Sequence, residues 1–164
     1  MQYRNNAIDS DVLAVKNLAA QSGFFSLEEI EVAAELVQAN LSKGESVSGY
    51  SFIFLETKQG VLGYTCYGRI PGTETSYDLY WIIVTNSMRK RSLGQQIMAE
   101  TEKAIQKAGG RRLYADTSSR ELYIPTRAFY RKCGFEQEAV LKDFYSQGDD
   151  KVIFVKALDP LSSP

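Results

Sequence analysis

The chain has 164 residues, 44% of them hydrophobic and 24% charged, which is one domain's length with enough apolar side chains to build a single core and too many for a disordered segment. Lysine and arginine number 19 against 20 aspartates and glutamates, so a net charge of -1 supplies no global attraction to nucleic acid or to an anionic membrane. Histidine is absent, which excludes Ser-His-Asp and Cys-His schemes and every His-ligated metal site, and the two cysteines, Cys66 and Cys133, are too few for a disulfide scaffold or a zinc cluster.

The N-terminal MQYRNNAIDSD is polar and acidic, unlike a signal peptide, and the longest apolar runs, such as Leu79 to Val84, are too short to span a bilayer. With two free thiols, the expected setting is the reducing cytoplasm. Residues 2–8 suggest a first short strand. Asp9 or Ser10 can cap a helix that carries Val12, Val15, Leu18 and Ala19 on one stripe and ends at Gly23. Ser26 and Glu29 form a capping box for the next helix, with Phe25 and Ile30 placed as a hydrophobic staple. Ile30, Ala33, Ala34, Val37 and Leu41 make its apolar face.

The period then changes. Residues 50–56, 61–69 and 74–84 are rich in aromatic and β-branched types, separated by turn signals at Lys58-Gln59-Gly60 and Pro71-Gly72, and predict three consecutive antiparallel strands. Leu93, Ile97, Thr101, Ala104, Ile105 and Ala108 restore the helical period, closed by Gly109-Gly110. Residues 111–117 alternate as a strand. Pro125 suits the first turn of a helix that runs to Cys133 and is capped by Gly134. Two closing strands, 135–144 and 151–157, flank a turn at Ser146 to Asp150. The order β-α-α-β-β-β-α-β-α-β-β predicts an α/β (α+β) fold: a mixed, mostly antiparallel sheet of about seven strands with helices on both faces. Residues 1–158 read as a single domain and 159–164 as a short tail.

Between the strand ending at Val84 and the helix beginning near Ser92 lies Arg89-Lys90-Arg91-Ser92-Leu93-Gly94-Gln95. A helix N-terminus leaves backbone N–H groups unused, and its dipole and neighbouring cations favour an anion such as a diphosphate. A solvated basic turn with a serine cap is the equally available reading. No P-loop and no dinucleotide fingerprint is present.

The stretch Asp78 to Gln96, followed by Tyr123-Ile-Pro-Thr-Arg-Ala-Phe-Tyr130-Arg-Lys-Cys-Gly134-Phe135, resembles the GNAT superfamily of acetyl-CoA-dependent N-acetyltransferases. The family's diphosphate motif, Arg/Gln-x-x-Gly-x-Gly/Ala, reads here Arg89-Lys90-Arg91-Ser92-Leu93-Gly94, with Ser92 at the first glycine. In the second motif Phe129-Tyr130 and Gly134-Phe135 match, while Tyr123 and Thr126 stand where asparagine and alanine are usual.

The resemblance implies acetyl-CoA as cofactor, held by Arg89 to Gln95 and by the main chain of Ile82, Ile83 and Val84, on a strand that splays from the strand ending at Thr117-Ser118. Arg127, Phe129 and Tyr130 complete the expected cofactor contacts. Tyr130 is the expected partner of the departing thiolate. Free tyrosine and thiol pKa values of about 10 and 8.5 make full proton transfer uphill by roughly 2 kcal/mol unless Arg127 or Arg131 lowers the tyrosine; on pattern alone a core tyrosine on an amphipathic helix is the favoured reading of Tyr130. Asp78, with Glu74 as second candidate, is the expected base, provided that burial or a water relay assists it; otherwise it is a strand-edge aspartate. Phe25, Glu29, Tyr67 and Tyr145, with Phe24, Phe144, Asp149 and Asp150, are candidates for an acceptor cleft suited to a small cationic amine. The expected activity is N-acetyl transfer to a small amine or amino acid, with no metal, nucleic acid or membrane partner and with a homodimer left open. The rival readings are a non-catalytic acyl-CoA sensor and an acetyltransferase acting on protein amines.

Overall fold

The computed structural model describes residues 1–86 and 92–160. In chain order these form β1 (Gln2–Arg4), α1 (Ser10–Ser22), α2 (Leu27–Lys43), α3 (Glu45–Ser48), β2 (Ser51–Thr57), β3 (Gly60–Arg69), β4 (Ser76–Val84), α4 (Leu93–Lys107), β5 (Arg112–Ser118), a 3-10 turn (Glu121–Tyr123), α5 (Ile124–Lys132), β6 (Glu136–Ser146) and β7 (Asp149–Ala157). The seven strands are hydrogen-bonded in the order β1-β2-β3-β4-β5-β7-β6, all registered pairs being antiparallel except β4 with β5. By its contacts the chain divides into two units, Met1–Gly68 with Trp81–Thr101, and Arg69–Tyr80 with Glu102–Pro164.

In the first unit α1 and α2 pack on each other and, through Val15, Leu18, Ala19, Ile30, Ala34 and Val37, share a core with Phe52, Phe54, Tyr64 and Cys66 of β2 and β3. The capping box forms: Glu29 N donates to Ser26 Oγ and Ser26 N to the Glu29 carboxylate. Leu41 lies outside that core and is 36% exposed. The first strand stops at Arg4 and does not run to residue 8. Asp11, 1% exposed, binds the Arg4 guanidinium at 2.8 and 2.9 Å and accepts from Ile8 N at 2.8 Å, so the chain must turn after Arg4 to bring Ile8 to that carboxylate.

In the second unit β5 pairs with β7 from Arg112–Ala157 to Ser118–Lys151, and with β4 only from Ser76–Arg112 to Leu79–Ala115. Among the described residues the β4–β5 register ends at Leu79–Ala115, and β5 stays paired with β7 to Ser118. Glu74 lies before β4, in the turn that follows β3, and not on the strand as expected. The expected turn at 146–150 is shorter: Asp149 and Asp150 already belong to β7.

Candidate active site

Tyr130 is carried by α5, whose start is set by Pro125 in its first turn. The tyrosine is 6% exposed and lies among the rings of Phe129, Phe135 and Phe154, at centroid distances of 5.8, 5.5 and 5.5 Å. Burial, and then the negative charge of Asp116, push its hydroxyl well above the ordinary tyrosine range. The arginines expected to act on it are engaged elsewhere. Arg127 donates to the carbonyls of Ser118 and Arg120 at 2.7 and 3.0 Å, and Arg131 lies 5.4 Å over the Phe154 ring and reaches Gln137. The expected lowering of the tyrosine is therefore reversed.

Asp78 is in register with Tyr114 on the parallel β4–β5 ladder. Side chains alternate along a strand, so Asp116, two residues beyond Tyr114, shares the face of Asp78. Burial, and next the charge of Asp116, raise the Asp78 carboxyl, and Lys151 of β7 partly offsets them. Lys151 is ion-paired with Asp116 and its ammonium stands 4.7 Å over the Phe144 ring. The sequence reading missed both Asp116 and Lys151. The only signal available was the alternation of residues 111–117, which puts Asp116 on the same side as Tyr114.

The end of β5 is a knot of polar bonds. Ser118 Oγ donates to Asp149 at 2.5 Å and accepts from Arg120 N at 3.0 Å, and Asp149, 6% exposed, also pairs with Arg120 at 3.1 Å. Asp150 N donates to Ser119 Oγ at 2.9 Å, and the Asp150 carboxylate accepts from Asp143 N at 2.9 Å and from Lys142 at 3.1 Å. These two aspartates, read as turn or acceptor carboxylates, are thus engaged within the protein, Asp149 by the side chains of Ser118 and Arg120 and Asp150 by the backbone of Asp143 and the ammonium of Lys142. Their partners lie outside the local window that turn signals cover. Asp143 sits at φ +51° with its carboxylate accepting from Gly148 N at 2.6 Å, and the β6–β7 register shifts between Leu141 and Ser146. This bulge leaves Phe144 and Tyr145 half exposed, ring to ring at 5.1 Å. Thr117 is buried, and its hydroxyl has no partner among the described residues.

In the first unit, Ile82, Ile83 and Val84 form the end of β4, against Gly63 of β3. Thr85 N donates to Leu62 O at 2.7 Å, continuing that pairing. Ser92 precedes α4 at φ +58°, in the left-handed region that glycine prefers, and its carbonyl accepts the first helical bond, from Gln96 N at 3.1 Å. The amides of Leu93, Gly94 and Gln95 lie in the first turn, which a helix does not use internally. Arg89, Lys90 and Arg91 lie outside the described residues. Phe25 packs on Trp81 at 4.7 Å, Tyr67 is buried on β3, and the Glu29 carboxylate is occupied by its capping bond.

Comparison with known proteins gives a consistent picture. The family profile of the acetyltransferase (GNAT) domain matches residues 48–137. A crystal structure of a Desulfovibrio desulfuricans protein, assigned to the GNAT family as an acetyltransferase, is 42% identical with a TM-score of 0.94, over 96% of this chain and 99% of that one. An aminoglycoside 6'-N-acetyltransferase complexed with coenzyme A shares the fold at a TM-score of 0.76 and 18% identity, over 99% and 100% of the two chains. The ribosomal-protein-S18-alanine N-acetyltransferase of Escherichia coli does so at 0.72 and 14%, over 99% and 97%. No curated protein sequence matches.

Proposed function

We propose, from the premise that the chain belongs to the GNAT acetyltransferases, that it transfers an acetyl group from acetyl-CoA to a primary amine, a small amine or amino acid. The observation that carries this reading is the composition of the second unit. A buried tyrosine that keeps its proton and a carboxyl of raised proton affinity both feel the charge of Asp116. Such groups are suited to accept the amine's proton and to donate a hydrogen bond to the departing sulfur.

The residues present fit the cofactor. The buried Thr117 hydroxyl lacks a protein partner among the described residues, and Ser92, at the position of the motif's first glycine, adopts the left-handed backbone that glycine prefers. The first-turn amides of Leu93, Gly94 and Gln95 suit a diphosphate, with Arg89, Lys90 and Arg91 as the adjoining cations. The main chain of Ile82, Ile83 and Val84 is assigned to the amide-bearing arm. Thr117 and Phe129 are assigned to the region near the thiol, and Ser118 and Arg127 shape the β5 end that carries Thr117.

When bound, acetyl-CoA supplies an acetyl carbon that an amine lone pair attacks as the C–S bond breaks, with the sulfur retaining the electron pair. Asp78 accepts the proton that the amine nitrogen must lose. Its raised proton affinity makes it a better acceptor than an ordinary carboxylate. Tyr130 donates a hydrogen bond toward the sulfur and retains its own proton. Phe25, Tyr67 and Tyr145 are assigned to the acceptor amine, which can arrive as the ammonium and gives its first proton to solvent before its lone pair attacks, the second going to Asp78.

Two further expectations concern setting. The thiols Cys66 and Cys133 are free, as in a reducing cytoplasm, and among the described residues no helix is long and apolar enough to cross a membrane. Incubation with acetyl-CoA and pooled metabolites and peptides, followed by mass spectrometry of the transferred acetyl group, tests the reading. An acetylated small amine is the expected product. Coenzyme A binding without any acetylated product would overturn it in favour of a sensor, and acetylated peptides alone would move the acceptor to protein.

A further inference from the structure

We propose that Lys151 is the positioning residue of the proton-accepting carboxylates: by pairing with Asp116 it leaves Asp78 as the group that takes the amine's proton. The inference rests on the acetyl-transfer reading and deepens it by assigning what sets the working pH.

The geometry is built by three neighbouring strands. Asp78 on β4 is level with Tyr114 on β5, and Asp116 is the next β5 residue on that face. Lys151 lies opposite Ser118, in the position diagonal to Asp116, and its ammonium closes on the Asp116 carboxylate. The lysine is not a loose surface cation, since it is 21% exposed and covered by the Phe144 ring from the β6 bulge. The other charged and titratable groups on this side, among the described residues, are Tyr80 on β4, Tyr114 on β5, Tyr130 on α5 with Cys133 beside it, Tyr145 of the β6–β7 hairpin, and Asp149, two residues before Lys151, with its partner Arg120. Arg120 is engaged by Asp149, and Lys142 by Asp150. Among the described residues, Lys151 is therefore the cation that compensates the pair Asp78 and Asp116. Without it two carboxylates would face each other, and the first proton taken up would be shared between them at a higher pH. Asp78 would then be protonated, and unable to accept, over part of the range in which it works.

The test uses Lys151→Met, which keeps an apolar stem against Phe144 and removes the charge, and Lys151→Arg, which keeps the charge. Turnover is followed as kcat/KM against pH, and the Asp78 carboxyl is titrated by carbon-13 NMR in the same proteins. In Lys151→Met the acid limb and the Asp78 midpoint both move up, by about one pH unit or more, and in Lys151→Arg both return. A uniform loss of rate at every pH with an unmoved acid limb would overturn the proposal, as would an unchanged Asp78 midpoint. The NMR titration needs no turnover. A wild-type chain that acetylates no amine removes the functional reading, while the Asp78 midpoint still decides what Lys151 does to the pair.

Discussion

Gly63→Ala tests how closely β4 must approach β3. Gly63 faces Leu55 on β2, and a Cβ placed on it would meet the Ile83 carbonyl oxygen at 2.7 Å, Val84 Cγ1 at 2.8 Å and Ile97 Cδ1 at 2.9 Å. The two side chains can rotate, but the carbonyl is main chain and can move only with the strand. Overpacking of this kind costs about 1–3 kcal/mol, and the backbone obstruction places Gly63→Ala in the upper half of that range. Replacing glycine in a strand returns about 0.5–1 kcal/mol through the unfolded chain. The net loss is about 1–2.5 kcal/mol, and at about 2–4 °C per kcal/mol for a chain of this length the melting temperature falls by about 2–10 °C. The displaced segment, Ile83 and Val84, is the one assigned to the cofactor arm. The KM for acetyl-CoA should therefore rise while kcat changes little, as for loss of binding shared by ground and transition states. Thermal unfolding and initial rates at varied acetyl-CoA measure both. Adding Ile97→Val should restore only part of the stability, because the carbonyl contact remains. A melting temperature and KM both indistinguishable from wild type would refute the claim that the glycine is required by proximity.

Tyr130→Phe keeps the ring among Phe129, Phe135 and Phe154 and removes only the hydroxyl. A hydrogen bond to a charged partner contributes about 1.5–3 kcal/mol, so kcat should fall roughly ten- to a hundredfold with the melting temperature nearly unchanged; an undiminished kcat would remove Tyr130 from the reaction. Ser92→Gly releases a left-handed residue whose strain is about 1–2 kcal/mol, offset in part by unfolded-state entropy, whereas Ser92→Ala keeps the strain; urea unfolding should rank the glycine variant above the alanine variant. Glu56 is held below the ordinary carboxylate range, first by its bond from Arg4 and then by that from Gln2. A depressed folded pKa gives stability that is present above the unfolded value and lost as pH falls through the folded one. Denaturant midpoints measured from pH 6 downward should thus decline less steeply in Glu56→Gln than in wild type.

What the sequence displayed was local. The capping box at Ser26 and Glu29 was readable because both partners lie within one helical turn, and Tyr130 was readable because its motif is contiguous through Gly134 and Phe135. The missed features depend on pairing across distance in the chain. Asp149 and Asp150 look like turn residues until Ser118, Ser119 and Asp143 are brought beside them by the β5–β7 and β6–β7 ladders. Lys151 and Asp116 meet only because β5 and β7 run antiparallel in one particular register. Arg127 was assigned by its place in a motif, yet it spends its donors on two carbonyls of the preceding turn, a use that residue type alone does not distinguish from phosphate binding.

The surroundings of Tyr130 also bear on how protons are handled. A free tyrosine is already a weaker acid than a thiol, which makes full transfer uphill by roughly 2 kcal/mol. Burial among three rings and the nearby Asp116 charge push the hydroxyl further in the same direction. Proton delivery from Tyr130 is thereby disfavoured more strongly than for an exposed tyrosine, while hydrogen-bond donation is not, because a neutral hydroxyl in a dry pocket donates to developing charge without first reorganising. On this reading the proton released in each turnover leaves through Asp78, and Tyr130 has none to recover. Activity should then persist on the alkaline side past the pH at which an ordinary tyrosine ionises, about 10. If kcat titrated away below that pH in wild type, and the same alkaline limb disappeared in Tyr130→Phe, the hydroxyl would ionise as readily as a free tyrosine, and the argument that its surroundings hold its proton would be wrong.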